Sequence, residues 1–304
     1  MSVSAQRKYG LSDFFSGLFS NLGKLLLANL FFCIPLAVFI TILVFVFQAL
    51  GAMNWFILFL LIPFMSPFFA GIINVCRKLT ADKKVMPVKD FFKGIKENWL
   101  FFLINSALLY ILTAGMFVML ALNKQSESGA VTAYLIVVAI TSLVFILIEF
   151  SAVVMTVSVE LHFVDVFKNS LLFIAKGFVN HLKILFALLF TAFLIYSLAA
   201  LINSLTPLLI VLGVLTLLGL PTLIMYIVVY NSYQTIEKHI ITPFSEQSQH
   251  EQQLKLEKEK DEQLTVEELE PLAKGDPEEY VFLNGKTVKR KTILKMIDVR
   301  KNNQ

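Results

Sequence analysis

Residues 77–99, RKLTADKKVMPVKDFFKGIKENW, form a strongly basic segment that follows an unusually long apolar one. Seven of these 23 residues are Lys or Arg, whereas the preceding 52 residues, from Leu25 to Cys76, contain no charged side chain. Positively charged loops of membrane proteins stay on the cytoplasmic side. The segment therefore predicts a cytoplasmic loop between two membrane helices.

The composition of the whole chain is that of a membrane protein. Of its 304 residues, 57% are hydrophobic and 16% are charged, and the mean hydropathy is +0.74, values outside the range of soluble domains. A second uncharged run covers residues 184–236. Each run can hold two spans, because one crossing takes about 20 residues. Cys33 and Cys76 lie in the first run and are expected to be buried as small hydrophobic residues.

Six transmembrane helices are predicted, arranged as three hairpins. Their approximate ranges are residues 25–50, 55–76, 100–122, 131–155, 184–203 and 208–230. An amphipathic stretch precedes each hairpin, near residues 11–24, 88–99 and 164–178, and is expected to lie in the membrane interface. The predicted fold class is an all-α integral membrane protein made of three parallel repeats, each a cytoplasmic amphipathic helix followed by a hairpin.

Short sequence echoes support the repeat. Asp13-Phe14-Phe15-x-Gly17 recurs as Asp90-Phe91-Phe92-x-Gly94, and more loosely as Asp165-Val166-Phe167. Because each unit enters and leaves the membrane on the same side, the copies are parallel. Such an arrangement counts mildly against the inverted-repeat plans of many transporters.

The distribution of Lys and Arg predicts the orientation. Three of them precede the first span, seven lie between the second and third spans, three lie between the fourth and fifth, and Lys238 follows the sixth. The three opposite turns together contain only Lys124. By the positive-inside rule, both termini are predicted to be cytoplasmic.

The second predicted span contains two prolines in the run IPFMSPFFAG, residues 62–71. Pro63 and Pro67 are expected to bend or locally unwind the helix, and Ala70 and Gly71 to provide a small-residue face for close packing. A broken transmembrane helix can form a substrate site. The alternative, which we favour, is a kink that only shapes the bundle.

Two acidic features could carry chemistry. Glu149 is the only acidic residue within a predicted span, but its position near the cytoplasmic boundary favours a local polar contact or snorkelling over ion coupling. Glu160, His162 and Asp165 are close in sequence, yet their spacing does not converge as metal ligands do. A solvated interfacial cluster is expected there, with no metal or cofactor.

The chain divides into a membrane domain, residues 1–242, and a charged cytoplasmic tail, residues 243–304. The tail has 12 acidic and 4 basic residues up to position 284, then 7 basic and 1 acidic, a composition that favours disorder. Asn284-Gly285 predicts a short hairpin near residues 280–290. The candidate contacts with anionic headgroups or a protein partner are Arg77, Lys78, Lys83, Lys84, Lys289, Arg290 and Lys291. Alternatively, the tail is held only by its own acidic half.

Three segments carry a resemblance to a known family: NLFFCIPL at 29–36, IPFMSPFFAGIINVCRKL at 62–79 and DFFKGIKENW at 90–99. Together they resemble the YesL-like family of bacterial membrane proteins, domain of unknown function 624. The chain departs from that pattern at residues 65–70, where family members often have a Gly-Pro-Ala type of run. The resemblance implies a Gram-positive-type cytoplasmic membrane protein encoded beside carbohydrate uptake systems, and it implies no catalytic residues.

The sequence therefore leaves two alternative hypotheses for the function. The first is a non-enzymatic accessory or scaffold protein, associated with carbohydrate uptake, that contacts a membrane transporter complex or a cytoplasmic protein. The second is a small-molecule or lipid transporter that uses the kinked second helix with polar residues such as Asn105 and Asn203. An enzyme is not expected, because no nucleophile–base set, nucleotide-binding loop or carboxylate pair is present. A nucleic-acid partner is not expected either.

Overall fold

The computed structural model of the protein describes residues 9–51, 54–125, 129–202, 205–243, 247, 266–283 and 286–302. The chain forms two compact units, Met1–His239 and Ile240–Gln304. The acidic stretch at 248–265, the expected turn at 284–285 and Asn203 lie outside the described residues.

Unit 1 is helical throughout its described part, and a π-helical turn, Glu237–Ile241, follows its last helix. The helices are α1 Leu11–Ser20, α2 Leu22–Leu50, α3 Trp55–Phe59, α4 Leu61–Thr80, α5 Pro87–Gln125, α6 Gly129–Ser158, α7 Phe163–Lys176, α8 Phe178–Ile202, α9 Leu205–Leu217 and α10 Leu220–Ile236.

The long apolar helices identify a multi-pass membrane protein. Among the described residues, five helical segments are long and apolar enough to cross a bilayer: Leu22–Leu50, Trp55–Thr80, Pro87–Leu122, Thr132–Ser158 and Phe178–Ile202. A sixth crossing results if Thr206–Leu217 and Leu220–Ile241, which meet at 52°, form one span. Large apolar side chains cover their outer surfaces, as contact with lipid requires; Phe186 is 72% exposed.

Two of the three amphipathic stretches are separate helices, α1 and α7. The second is not, because it forms the first turns of α5, a continuous helix of 39 residues. The break between α1 and α2 falls at Asn21, and Gly177 separates α7 from α8, whereas in α5 Asn98 is followed by Trp99 and Leu100. These two apolar residues do not interrupt a helix.

The core of unit 1 is formed by α4, α6 and α10, which are the second arms of the three predicted hairpins and pack against one another. Ile72, Val75, Met155, Val229 and Ile236 are almost fully buried in these helices. These residues lie towards the C-terminal ends of their helices. The same end contains α1, α7 and the N-terminal part of α5, and we call it the basic end.

The helix break nearest to Pro63 and Pro67 lies before both prolines, and α4 continues through Pro67. The helix is interrupted only at Leu60, between α3 and α4. Pro63 then falls in the first turn of α4, where a missing N–H is tolerated. Pro67 lies inside α4, and the Ser66 hydroxyl donates a 2.9 Å hydrogen bond to the Pro63 carbonyl, the group that the missing Pro67 N–H would otherwise have bonded.

The larger break is in the last span. Gly219, with φ +110°, separates α9 from α10, and Pro221 follows it. Asn29 of α2 closes this break: its Nδ2 donates to the carbonyls of Thr216 and Leu217 at 2.8 and 3.2 Å, and its Oδ1 accepts from Thr222 at 3.0 Å. A buried side chain therefore satisfies the carbonyls released by the break, as the interior of a bilayer demands.

Unit 2 contains two helices and a hairpin, α11 Val266–Ala273, β1 Tyr280–Leu283, β2 Lys286–Lys289 and α12 Arg290–Asn302. The strands pair antiparallel with Val281 opposite Val288. Leu269, Leu283, Ile293 and Ile297 form a buried apolar cluster. An isolated hairpin is marginal in water, and here both helices cover it. The tail therefore has more internal structure than its charge composition suggests.

Candidate functional site

The basic end begins with an unusually close contact between α4 and α5. A β-carbon added to Gly94 would lie 2.7 Å from the Ala70 carbonyl oxygen, and one added to Gly71 would lie 2.7 Å from the Phe91 ring. Ala70 is fully buried. The two predicted small residues of α4 therefore pack against α5, as small residues do between membrane helices.

Asp90 joins the two helices through hydrogen bonds. Its carboxylate pairs with Lys78 and accepts a 2.8 Å bond from the Met86 N–H, while Asn74 Nδ2 donates to its carbonyl oxygen at 2.7 Å. Asp90 is only 4% exposed. Asp90 is therefore buried although it belongs to an amphipathic stretch, because Lys78 and two amide groups replace the water that it leaves.

Arg77, the neighbour of Lys78, bonds a different residue. Its Nη2 donates to Asn74 Oδ1 at 3.1 Å. Its Nε is buried and has no hydrogen-bond partner within the described part of the chain. Arg77 therefore has more donors than its protein neighbours use.

Arg77 lines a groove of about 950 Å³ between the start of α5 and the connection from α6 to α7. We call this the α5–α7 groove. Its lining residues are Arg77, Lys93, Glu97, Asn98, Leu100, Phe101, Ile104, Thr156, Val157, Ser158, Val159, Glu160, Leu161, His162, Phe163 and Asp165. One end of the groove is charged and the other is apolar.

The predicted Glu160, His162 and Asp165 cluster borders this groove. Glu160 and His162 are exposed, and Asp165 is half-buried. Among the residues that the structure describes, no group of three His, Cys, Asp or Glu side chains could hold a metal ion. The three residues therefore contribute charge to the rim of the groove and form no ligand set.

A second groove, of about 460 Å³, lies between α1, the end of α4 and α10. Asp13, Ser16, Asn21 and Asp82 contribute polar groups to it, and Tyr226 lies against Gly17. Asp13 also accepts a 3.0 Å bond from the Gly10 N–H at the start of α1. Its described lining residues are mostly polar, and Leu79 is the one aliphatic side chain among them, whereas the α5–α7 groove has several.

Polar residues within the spans contact each other. Asn105 of α5 donates a hydrogen bond to Glu149 of α6, which is the local polar contact expected for Glu149. Ser106 donates to Ser66 at 2.8 Å. Asn105, expected to line a transport path in the alternative hypothesis, therefore joins two neighbouring helices.

The predicted surface cations fall into two groups. Lys83 and Lys84 are exposed in the turn between α4 and α5. In unit 2, Lys289 and Lys291 pair with Glu278 at 2.6 and 3.9 Å, and Arg290 pairs with Glu279. The hydrogen bond to Glu278 raises the pKa of Lys289. Of these five cations, Lys83 and Lys84 are the two that form no ion pair among the described residues.

Sequence reasoning missed Asn29, Asn74 and the buried position of Asp90. One signal was available, because Asn29 and Asn74 are isolated polar residues in the uncharged run before the basic segment. Polar groups in such a run are costly unless they find a partner.

No family model matches the chain, and neither a curated protein nor a solved structure is similar to it. The resemblance to the YesL-like family therefore stays a prediction.

Proposed function

We propose that this chain is a non-enzymatic accessory or scaffold protein of a bacterial cytoplasmic membrane. In this proposal it crosses the bilayer six times as three hairpins, with the basic end and both termini in the cytoplasm. Lys83 and Lys84 contact anionic headgroups or a partner, and the tail supplies a second contact. The resemblance to YesL-like proteins makes a carbohydrate uptake complex the first partner to test.

One observation favours a scaffold over a transporter. Ala70 and Gly71, which would border a pathway along the second span, are closed off by Phe91 and Gly94 of α5. Alternating access needs elements that move against each other around a site. A helix contact this close, further joined by Asp90, Lys78 and Asn74, favours a fixed platform.

The structure of the last span supports the same choice. Broken helices bind substrates through backbone groups that are released at the break. At the break between α9 and α10, Asn29 already bonds the carbonyls of Thr216 and Leu217. These groups hold α2 and are not offered to a ligand.

Photo-crosslinking in native membranes tests the proposal. A photoreactive amino acid in place of Lys84 should capture one membrane or cytoplasmic partner, identified by mass spectrometry as a component of sugar uptake. The same group in place of Leu194, which is 51% exposed on α8, is the control and should capture lipid.

A transport assay provides the opposing outcome. Purified protein reconstituted alone into liposomes should produce no substrate-dependent flux of sugars or labelled lipids above empty liposomes. Substrate-dependent flux above that of empty liposomes would contradict the scaffold and support the transporter.

A further inference from the structure

The α5–α7 groove has the form of a lipid site, and this reading does not depend on the scaffold role. The groove follows α5 over the twelve residues from Lys93 to Ile104, eleven rises or about 16 Å of helix. Leu100 and Ile104 are 52% and 44% exposed on the outer surface of a membrane-spanning helix. Its apolar end therefore opens towards the acyl chains, and its charged end lies at the membrane boundary.

An aromatic wall completes the apolar end. Phe101 of α5 lies 5.0 Å from Phe163 and 6.2 Å from Phe167 of α7, measured between ring centroids. Phe163 and Phe167 are themselves 5.0 Å apart. Phe101 and Phe163 thus line the groove as a surface against which an acyl chain can pack, and Phe167 contacts both rings from outside the lining.

The charges of the groove select the headgroup. Its lining has two cations, Arg77 and Lys93, and three carboxylates, Glu97, Glu160 and Asp165, a sum of −1. Arg77 lines the groove and uses Nη2 on Asn74, so the remaining Nη–H groups of its guanidinium are the donors for a phosphate. No ion pair is recorded for Glu160 or Asp165 among the described residues, so both can accept from an ammonium group.

We propose that this groove binds a phospholipid whose headgroup carries both a phosphate and a primary ammonium group, as phosphatidylethanolamine does. The phosphate lies at Arg77, the ammonium group at Glu160 and Asp165, and one acyl chain along Phe101 and Ile104. A net anionic lipid is disfavoured by the carboxylates, and a quaternary ammonium lacks the N–H donors that they accept from.

Native mass spectrometry of the full-length protein in detergent tests this site. We add dioleoyl phosphatidylethanolamine, phosphatidylglycerol or phosphatidylcholine at equal concentration and measure the retained lipid. Phosphatidylethanolamine should bind at least about tenfold more tightly than the other two, because it alone satisfies both charged ends. Soluble phosphoethanolamine at the same concentration should not displace it.

Two variants locate the lipid. Arg77→Gln removes the phosphate partner, and Ile104→Trp fills the apolar end at a partly exposed position that tolerates a larger side chain. Each should lower retention of phosphatidylethanolamine about tenfold. Lys96→Gln, at an exposed position outside the groove lining, and Ile111→Trp, two turns along α5 from Ile104 at a position 62% exposed, are the matched controls and should leave it unchanged.

The possible results distinguish a specific lipid site from non-specific lipid binding. Selective binding that both variants lose and both controls keep supports the site. Equal binding of phosphatidylglycerol, displacement by soluble phosphoethanolamine, or wild-type retention by either variant overturns it. Size-exclusion elution at the wild-type volume shows that a variant is folded when its binding is measured.

Discussion

Gly94 of α5 lies against Gly71 of α4 so closely that a β-carbon on Gly94 would be 3.1 Å from the Gly71 Cα. Lipid tails are as apolar as the helices they surround, so helix association in membranes relies on such close packing. This contact holds the basic end together next to Asp90 and Arg77.

Gly94→Ala should destabilise the protein by about 2 kcal/mol, because the new methyl group meets the backbone of α4 and overpacking of this kind costs about 1–3 kcal/mol. Gly115→Ala in the same helix is the matched control, since nothing lies within 4 Å of its added β-carbon. The control should be neutral or slightly stabilising. Thermal unfolding followed by circular dichroism in detergent measures both, and equal losses would contradict the contact.

Asp90→Ala should cost about 3 kcal/mol, because removing one partner of a buried ion pair strands the other. The Asp90 and Lys78 side chains are 5% and 20% exposed, whereas those of the Lys93 and Glu97 pair are 52% and 57% exposed. Glu97→Gln should therefore change stability by less than about 0.5 kcal/mol in lipid-free detergent. Chemical unfolding curves of the two variants provide the comparison.

Cysteine labelling tests the proposed orientation. Cys33 and Cys76 are buried, so the wild-type protein should react little with maleimide in detergent. In a Cys33→Ala/Cys76→Ala background, Lys84→Cys should be labelled by a membrane-impermeant maleimide only after the cells are permeabilised. Ala130→Cys, exposed at the start of α6, should be labelled in intact cells. Labelling of Lys84→Cys in intact cells, with Ala130→Cys labelled only after permeabilisation, would contradict the proposed orientation.

Ile293→Ala should destabilise unit 2 by about 2–4 kcal/mol, because it removes a fully buried side chain from the apolar cluster. Leu294→Ala is the neighbouring control, at a position 39% exposed. Hydrogen exchange of the full-length protein should show lost amide protection in β1 and α12 for the first variant only. If protection were equally low in the wild-type chain, unit 2 would not be a stable fold.

Properties that depend on the solvation of one segment were predictable from the sequence, whereas those that depend on contacts between side chains were not. The two uncharged runs and the basic segment 77–99 predicted a helical membrane protein correctly, because a bilayer excludes charge whatever the contacts between helices. The predicted bend at Pro63 and Pro67 was less accurate. Whether a proline bends a helix depends on nearby donors, and Ser66 supplies one to the Pro63 carbonyl.

The groove residues show the same limit. Glu160, His162 and Asp165 were recognised as a charged cluster, but Arg77 and Glu97 come from other parts of the sequence and join them only through the packing of α4, α5 and α7. The burial of Asp90 could not be predicted for the same reason. Its amphipathic stretch marks it as polar, and only its contact with Lys78 explains why it is buried.

Sequence alone thus determined that the chain enters a membrane as several apolar helices, with the positive charges gathered at a few connections. Those properties depend on the solvation of each segment by itself, which composition and hydropathy measure directly. Tertiary structure alone decided that Gly71 and Gly94 touch, that Asn29 closes the break in the last span, and that a groove with both signs of charge lies beside Arg77. These are relations between segments distant in sequence, and their energies depend on distances that no local pattern contains.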